Sequence, residues 1–224
     1  KIIRNTPFGC NLTFDIAKAA IEGENLGKNT DTDLLTISCS STDYIGHQVG
    51  TNAVEIEDTY LRLDRDIAAF LDYLDKKVGR GEYLIFLSAD HGASNNALYL
   101  TDRRIPAGDW NTKTAQKDLN EMLKAKYPSA DKLVTWVSNY QVFFDTQKID
   151  SLGLDYAAIK QDAVNLLKKN KMVQYACDME KASIESIPEE IKYRIINGYN
   201  RERSGDVTIV LKPNFYAHGM KGTD

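Results

Sequence analysis

The sequence lacks several features that would place it in well-defined classes of protein. No apolar run is long enough to cross a bilayer, so no transmembrane segment is predicted. Positive charge is not in excess, because 28 lysines and arginines face 32 aspartates and glutamates. This balance argues against nucleic acid or an anionic membrane as the main partner. The remaining composition, 42% apolar and 27% charged, is typical of a soluble globular domain.

Cysteine is also scarce. Cys10, Cys39 and Cys177 are irregularly spaced, so they define neither a disulfide framework nor a CxxC metal motif. We expect buried free thiols. The chain opens at Lys1 without a signal peptide, and the Thr6-Pro7-Phe8-Gly9 pattern follows almost at once, as it would inside a longer protein. We therefore expect this sequence to be a fragment.

Histidine is also scarce, and the positions of the few histidines are more informative than those of the cysteines. The chain has only three, and each stands beside Asp or Gly in a predicted loop: Thr42-Asp43-Tyr44-Ile45-Gly46-His47, Ala89-Asp90-His91-Gly92 and Ala217-His218-Gly219. The pattern indicates metal coordination. Asp43 and His47 are four residues apart, which places both side chains on one side of a helical turn. Taken singly, each Asp–His pair is more often a hydrogen-bonded loop pair than a metal-ligand set.

The hydrophobic pattern predicts alternating helices and strands. Helices are expected from a cap at Thr13, over residues 56–74, 113–126 and 155–169, and after Ser186-Ile187-Pro188-Glu189. Continuously apolar segments at Leu34–Ile37, Leu84–Leu87 and Val207–Leu211 are typical of strands buried in a parallel sheet. The fold class is therefore α/β. Asp43 and Asp90 each follow such a strand, at the edge where open α/β sheets place ligands.

The histidine clusters and the segments around them resemble the alkaline phosphatase superfamily. The resemblance is carried by Ser38-Cys39-Ser40-Ser41 leading into the first cluster, by the helix after it, and by Leu87-Ser88-Ala89 before the second. It is nearest to secreted bacterial phosphatases and the nucleotide pyrophosphatase/phosphodiesterase branch. The implied architecture is a mainly parallel sheet flanked by helices over residues 1–224, with an insertion at about 102–206 and the N-terminal part of the fold missing.

The resemblance implies a two-zinc site. Asp43, His47 and His218 would hold one zinc ion, while Asp90 and His91 would bind a second. The nucleophile, a Ser or Thr in that family, would precede Lys1, so we expect no catalytic nucleophile in this chain. The implied function is hydrolysis of small-molecule phosphate esters in the periplasm or outside the cell.

Three other interpretations stay open at this point. Sulfatases and cofactor-independent phosphoglycerate mutases belong to the same superfamily, and the modified Cys or Ser that a sulfatase needs would come from the missing region, so this sequence does not exclude them. A non-catalytic metal-binding module would carry the same ligands. The sequence does not distinguish monoester from diester substrates, and it gives no information on oligomeric state.

Overall fold

The structure is a computed structural model that describes residues 2–217 and 219–222. It divides the chain into two units. Residues 2–107 together with residues 219–222 form the first, and residues 108–217 form the second. Helices and a sheet are both present, which confirms the α/β class. None of the helices in the described residues is long and apolar enough to cross a membrane.

The first unit is helical in its regular structure. Its α-helices are α1 (Phe8–Gly23), α2 (Ser41–Val49), α3 (Val54–Leu74) and α4 (Ala97–Asp102). A short 3₁₀ helix at Ile3–Asn5 precedes α1, and a π-helical segment at Asp75–Gly79 follows α3. These bounds agree with the predicted helix at 56–74.

Helices α1 and α3 pack through matching apolar faces. Phe14 of α1 and Phe70 of α3 lie with their ring centroids 5.2 Å apart, and both are buried. Apolar side chains spaced three or four residues apart form one stripe on a helix, so the same stripe on each helix can enter a common core. The other buried members of this cluster are Cys10, Ala17, Ile21, Leu63 and Leu74.

The prediction that Thr13 caps α1 was wrong. The helix begins five residues earlier at Phe8, and the Thr13 hydroxyl donates to the Gly9 carbonyl at 3.0 Å. A threonine inside a helix satisfies its hydroxyl in this way, by bonding to the carbonyl one turn earlier. The same residue type therefore serves as a cap or as an interior residue, and its identity alone does not distinguish them.

The second unit contains the main sheet. The strands are β1 (Gly108–Asp109), β2 (Val134–Ser138), β3 (Gln141–Phe144), β4 (Val173–Asp178), β5 (Val207–Leu211) and β6 (Phe215–Tyr216). Four of them form one sheet in the order β2-β3-β5-β4, and every neighbouring pair in it is antiparallel. Strands β1 and β6 form a separate parallel pair. The helices are α5 (Thr112–Lys126), α6 (Thr146–Ser151), α7 (Tyr156–Lys168) and α8 (Glu189–Gly198), with a 3₁₀ helix at Met179–Ile184.

Two of the three predicted parallel strands are not strands in the structure. Leu34–Ile37 and Leu84–Leu87 have no strand partner among residues 2–217 and 219–222. Their side chains are exposed, with Leu84 at 92% and Phe86 at 83%, except that Ile37 is partly buried. Val207–Leu211 does form β5, but it pairs antiparallel on both sides. An apolar run signals burial, whereas strand direction depends on partners that the run does not encode.

The boundaries of the second unit differ from those of the predicted insertion at 102–206. Strand β5 begins at Val207 and pairs with both β3 and β4, so it belongs to this unit and not to the chain after it. Helices α5 and α7 cover the sheet, and Leu123 and Ile159 are fully buried beneath them. The unit thus has its own hydrophobic core.

A buried ion pair lies at the end of this sheet. The Lys160 ammonium on α7 is 2.9 Å from an Asp178 carboxylate oxygen and 3.0 Å from Glu180. The Lys160 and Asp178 side chains are each only 7% exposed. Burial lowers the pKa of Lys160, but the two carboxylates outweigh that effect and raise it overall. The ammonium therefore stays charged inside the unit.

Candidate metal centre

Helix α2 presents two of the predicted ligands. Asp43 lies in its first turn and His47 in its last, and the i,i+4 spacing brings His47 Nε2 to 3.1 Å from Asp43 Oδ1. Ile45 is buried on the opposite side of the helix. The helix thus packs its apolar side inward and leaves the ligand pair half-exposed, as the spacing predicted.

The third ligand comes from the loop after residues 84–87. His91 Nε2 lies 3.5 Å from the same oxygen of Asp43. The other ring nitrogen, Nδ1, is 2.7 Å from the Gly92 carbonyl. A carbonyl at that position accepts a hydrogen bond from the Nδ1–H group, so the neutral ring carries its proton on Nδ1 and leaves Nε2 as the lone-pair donor that a metal requires. The backbone of the loop therefore sets the tautomer of His91.

Asp43, His47 and His91 form one convergent group. Each offers one ligand atom, and these atoms lie within 4.8 Å of one another. One carboxylate and two imidazoles are a donor set that zinc takes in catalytic sites, where a fourth position remains for substrate or water. The chemistry of the residues present therefore fits a zinc ion. The family resemblance implied that His91 binds a second metal ion with Asp90. In the structure His91 also lies close to the Asp43 carboxylate oxygen.

The remaining predicted ligands are less well placed or lie outside the described residues. Asp90 Oδ2 is 3.8 Å from His91 Nε2, and the Asp90 side chain is 90% exposed. Its other oxygen accepts a hydrogen bond from the His91 backbone N–H at 3.2 Å. His218 is outside the described residues.

The far end of α2 is held by residues that the sequence analysis did not identify. Gly50 ends the helix with φ 80° and ψ 167°, and its N–H donates to the Gly46 carbonyl at 2.8 Å. The Asn96 amide donates to the Val49 carbonyl at 3.3 Å and also caps α4 by accepting from the Tyr99 N–H at 2.7 Å. Asn before a helix does signal a cap. The residues around Asn96 in the sequence, however, give no signal for its hydrogen bond to the Val49 carbonyl of α2.

Comparison with known proteins assigns the sequence to a family. The family model for type I phosphodiesterase / nucleotide pyrophosphatase matches residues 11–224. The chain belongs to this family. The match confirms the resemblance to the alkaline phosphatase superfamily that the histidine clusters suggested.

Curated relatives of this phosphodiesterase family member include phosphatases. Alkaline phosphatase PafA of Elizabethkingia meningoseptica is 44% identical over 99% of this chain, and a protein named calcium-transporting ATPase of Myroides odoratus is 47% identical over 99%. The crystal structure of wild-type PafA matches with a TM-score of 0.93 at 44% identity, covering 99% of this chain and 42% of that one. The chain spans about two-fifths of the length of the relatives it matches, 41% and 40% for the two named above.

Proposed function

We propose that this chain supplies a metal centre to a longer phosphoric ester hydrolase, an alkaline phosphatase or phosphodiesterase that acts on small-molecule phosphate esters. The observation that carries the proposal is the convergence of Asp43, His47 and His91 ligand atoms within 4.8 Å. Membership of the phosphodiesterase family supports an ester substrate over a purely structural metal site. By analogy with the bacterial phosphatases that it resembles, we propose a periplasmic or secreted location.

The proposed cofactor is zinc, with two ions in the complete enzyme. Asp43, His47 and His218 would hold one ion, and Asp90 and His91 the other. Paired zinc ions supply positive charge that stabilises the attacking and leaving oxygens of a phosphoryl transfer. The short Asp43–His91 contact of 3.5 Å supports sites that are close neighbours.

The residues of this chain would orient and hold these groups. The Gly92 carbonyl keeps the proton of His91 on Nδ1, so that Nε2 is available. The rigid i,i+4 geometry of α2 fixes the direction of Asp43 and His47 together. Fixed ligand directions matter because a small misplacement of reacting groups lowers the rate of a displacement strongly.

We further propose that the nucleophilic Ser or Thr comes from outside this sequence. The hydroxyl groups of Ser38, Ser40 and Thr42, just before and at the start of the ligand helix α2, already have hydrogen-bond partners. Thr42 Oγ1 donates to the Cys39 carbonyl at 2.9 Å, and the Ser38 and Ser40 hydroxyls lie 3.1 Å apart. The greater length of the relatives leaves room for such a residue.

Zinc binding tests the metal centre directly. We would titrate the zinc-free chain with zinc against a chromophoric chelator, for the wild type, His47→Ala, His91→Ala and Asp58→Asn. Asp58 is a matched control, because it forms an i,i+4 ion pair with Arg62 on α3. Loss of either histidine should weaken zinc binding by at least the roughly 10- to 100-fold that loss of a supporting group costs. Equal affinity in all four proteins would refute the site.

Measuring the hydrolysis of a phosphate ester tests the catalytic part of the proposal. The full-length protein should hydrolyse an aryl phosphate monoester or diester, and His47→Ala should abolish most of that activity. The chain alone should bind zinc without comparable turnover, because a metal clamp without a positioned nucleophile accelerates a displacement little. A phosphorylated Ser or Thr trapped in this chain would contradict the external nucleophile. Zinc binding without activity in the full-length protein would indicate a non-catalytic module.

A further inference from the structure

The loop that carries His91 is not held in place by a buried side chain of its own. Every side chain from Leu84 to Asn95 is exposed, and residues 84–96 contain neither helix nor strand. Segments with little buried apolar surface are the easiest parts of a fold to displace. His91 Nε2 nevertheless lies 3.5 Å from Asp43 Oδ1, so other contacts must bring the loop to helix α2.

The turn between helices α2 and α3 supplies such a contact. Asn52 lies in this turn, which consists of residues 50–53, and its side-chain amide donates to the Asn95 side-chain oxygen at 2.6 Å. Asn95 follows His91 by four residues. The hydrogen bond therefore joins the loop that carries one proposed ligand to the end of the helix that carries two others.

Longer contacts accompany this bond on both sides. The Thr51 hydroxyl lies 3.4 Å from the Ser94 carbonyl and 3.4 Å from the same Asn95 oxygen. The bond from Asn96 to the Val49 carbonyl, described above, is 3.3 Å long. Three consecutive loop residues are thus each bonded to the end of α2 or to the turn after it.

The turn is a firm support because packed helices fix both of its ends. Only residues 50–53 separate α2 from α3. Ile45 anchors the first helix and Ile56 the second, and both side chains are buried. A connection of this length between two helices has only a few conformations available. Asn52 therefore keeps a fixed position relative to the ligands on α2.

We propose that Asn52 and Asn95 are positioning residues of the metal centre, whose hydrogen bond sets the distance of His91 from Asp43 and His47. The inference rests on the proposed function, because it takes these three side chains as metal ligands. It goes beyond that function by assigning a role to two residues that are not ligands. Supporting residues of this kind raise metal affinity by holding the ligands in binding geometry before the ion arrives.

The two residues should contribute unequally to zinc affinity. The Asn95 oxygen contacts both Asn52 and Thr51, so Asn95→Ala removes both contacts, whereas Asn52→Ala leaves one of them. The net worth of a protein hydrogen bond corresponds to roughly a two- to tenfold change in an equilibrium constant. We expect Asn52→Ala to weaken zinc binding by this factor, and Asn95→Ala to weaken it at least as much.

The double variant tests whether the residues act as a pair. Once Asn95 is alanine, Asn52 has lost the acceptor that it shares with the loop. Replacing Asn52 as well should therefore weaken zinc binding no further than Asn95→Ala does alone. Two residues that act separately would instead give losses that multiply.

Asn11 provides a matched control. It is also exposed, and its side-chain amide donates to Asp66 Oδ2 at the same distance of 2.6 Å, which joins α1 to α3 in the same unit. The acceptor is a carboxylate, so the loss of this bond should cost at least as much stability as the loss of the Asn52 bond. Asn11→Ala should lower the urea midpoint and leave zinc affinity unchanged.

The experiment compares the wild type with Asn52→Ala, Asn95→Ala, the double variant and Asn11→Ala. Each zinc-free chain is titrated with zinc against a chromophoric chelator, and its stability is measured in urea. Each is then loaded with cobalt(II), whose visible absorption reports the geometry of its ligands and not the stability of the fold. We expect weaker zinc binding and an altered cobalt spectrum in the Asn52 and Asn95 variants, and wild-type values of both in Asn11→Ala.

The results separate this inference from the proposed function. Wild-type affinity and cobalt spectrum in both Asn52→Ala and Asn95→Ala would overturn the inference and leave the metal centre standing. Equal weakening of zinc binding in Asn11→Ala would also overturn it, because general destabilisation would then explain the losses. Multiplying losses in the double variant would refute the pair. A wild type that binds no zinc would refute the metal centre itself, and this inference with it.

Discussion

Replacing Gly50 by alanine should damage the proposed metal centre without changing any of its proposed ligands. Gly50 ends α2 at φ 80° and ψ 167°, a conformation that side chains other than glycine rarely adopt. A Cβ there would lie 2.4 Å from the Asn96 side-chain nitrogen. The Asn96 amide would have to move, and with it the bonds to Val49 and Tyr99.

The magnitude follows from these contacts. Backbone strain at such a position costs about 1–3 kcal/mol. Loss of the Asn96 bond to the Val49 carbonyl adds about 1 kcal/mol, and disturbance of the α4 cap adds up to roughly another 1 kcal/mol. We therefore expect Gly50→Ala to lower the free energy of unfolding by about 2–5 kcal/mol, and to weaken zinc binding because the end of α2 shifts.

Gly23→Ala is the matched control. Gly23 is the last residue of α1, its φ is not positive, and a Cβ there would meet nothing within 4 Å. Alanine should be neutral or stabilise by up to about 1 kcal/mol. Urea denaturation followed by circular dichroism measures both variants.

A double-mutant cycle with Asn96→Ala tests the cause. If the clash with Asn96 carries part of the cost, Gly50→Ala should cost less in the Asn96→Ala background than in the wild type. Equal effects of Gly50→Ala and Gly23→Ala would refute the steric and conformational argument. Strict additivity of Gly50→Ala and Asn96→Ala would leave backbone strain as the whole effect and refute the role of Asn96.

Three further predictions concern charge and metal. Lys160→Met should destabilise the chain by about 3–5 kcal/mol in urea denaturation, because it leaves the buried Asp178 carboxylate unpaired; an effect below about 1 kcal/mol would contradict a buried pair. The hydrogen bond from Lys160 lowers the pKa of Glu180 below its ordinary 4.5. The stabilisation by the Lys160–Glu180 ion pair is therefore fully present above pH 4.5 and is lost as the pH falls through the lowered pKa. In Lys160→Met this acid-induced loss of stability should be smaller. For the proposed zinc-loaded chain, a chelator should remove the ion and leave the far-ultraviolet circular dichroism unchanged, because the helices pack through apolar cores that need no ion. Loss of the helix signal would show that the metal is part of the fold.

The helices were predictable because their signals are local. Helix α3 repeats apolar residues every three or four positions, and Asp155 precedes α7 as a cap that accepts from the Ala158 N–H at 3.1 Å. Thr13 is a position where a local capping signal gave the wrong start for the helix. A hydroxyl residue favours a cap, yet burial of Cys10 and Phe14 on one stripe extends α1 beyond it.

The strands and the site were less accessible to sequence reasoning. Leu84–Leu87 has the composition of a buried strand, but pairing depends on residues distant in sequence. The Asp43–His47 pair could be predicted from its spacing on one helix. The contact between Asp43 and His91 could not, because it joins a helix to a loop more than 40 residues later and leaves no periodic trace in the sequence.

The exposed run at Leu84–Leu87 has a consequence for how this chain behaves in solution. Its four side chains are 92%, 50%, 83% and 82% exposed, and no charge or proline interrupts them. Short uncharged segments of this kind template intermolecular β-pairing and fibril growth. Arg80 and Glu82 precede the run and Asp90 follows it, so they act as flanking charges that oppose self-association. The colloidal stability of the chain should therefore fall with rising protein concentration and with salt that screens those charges.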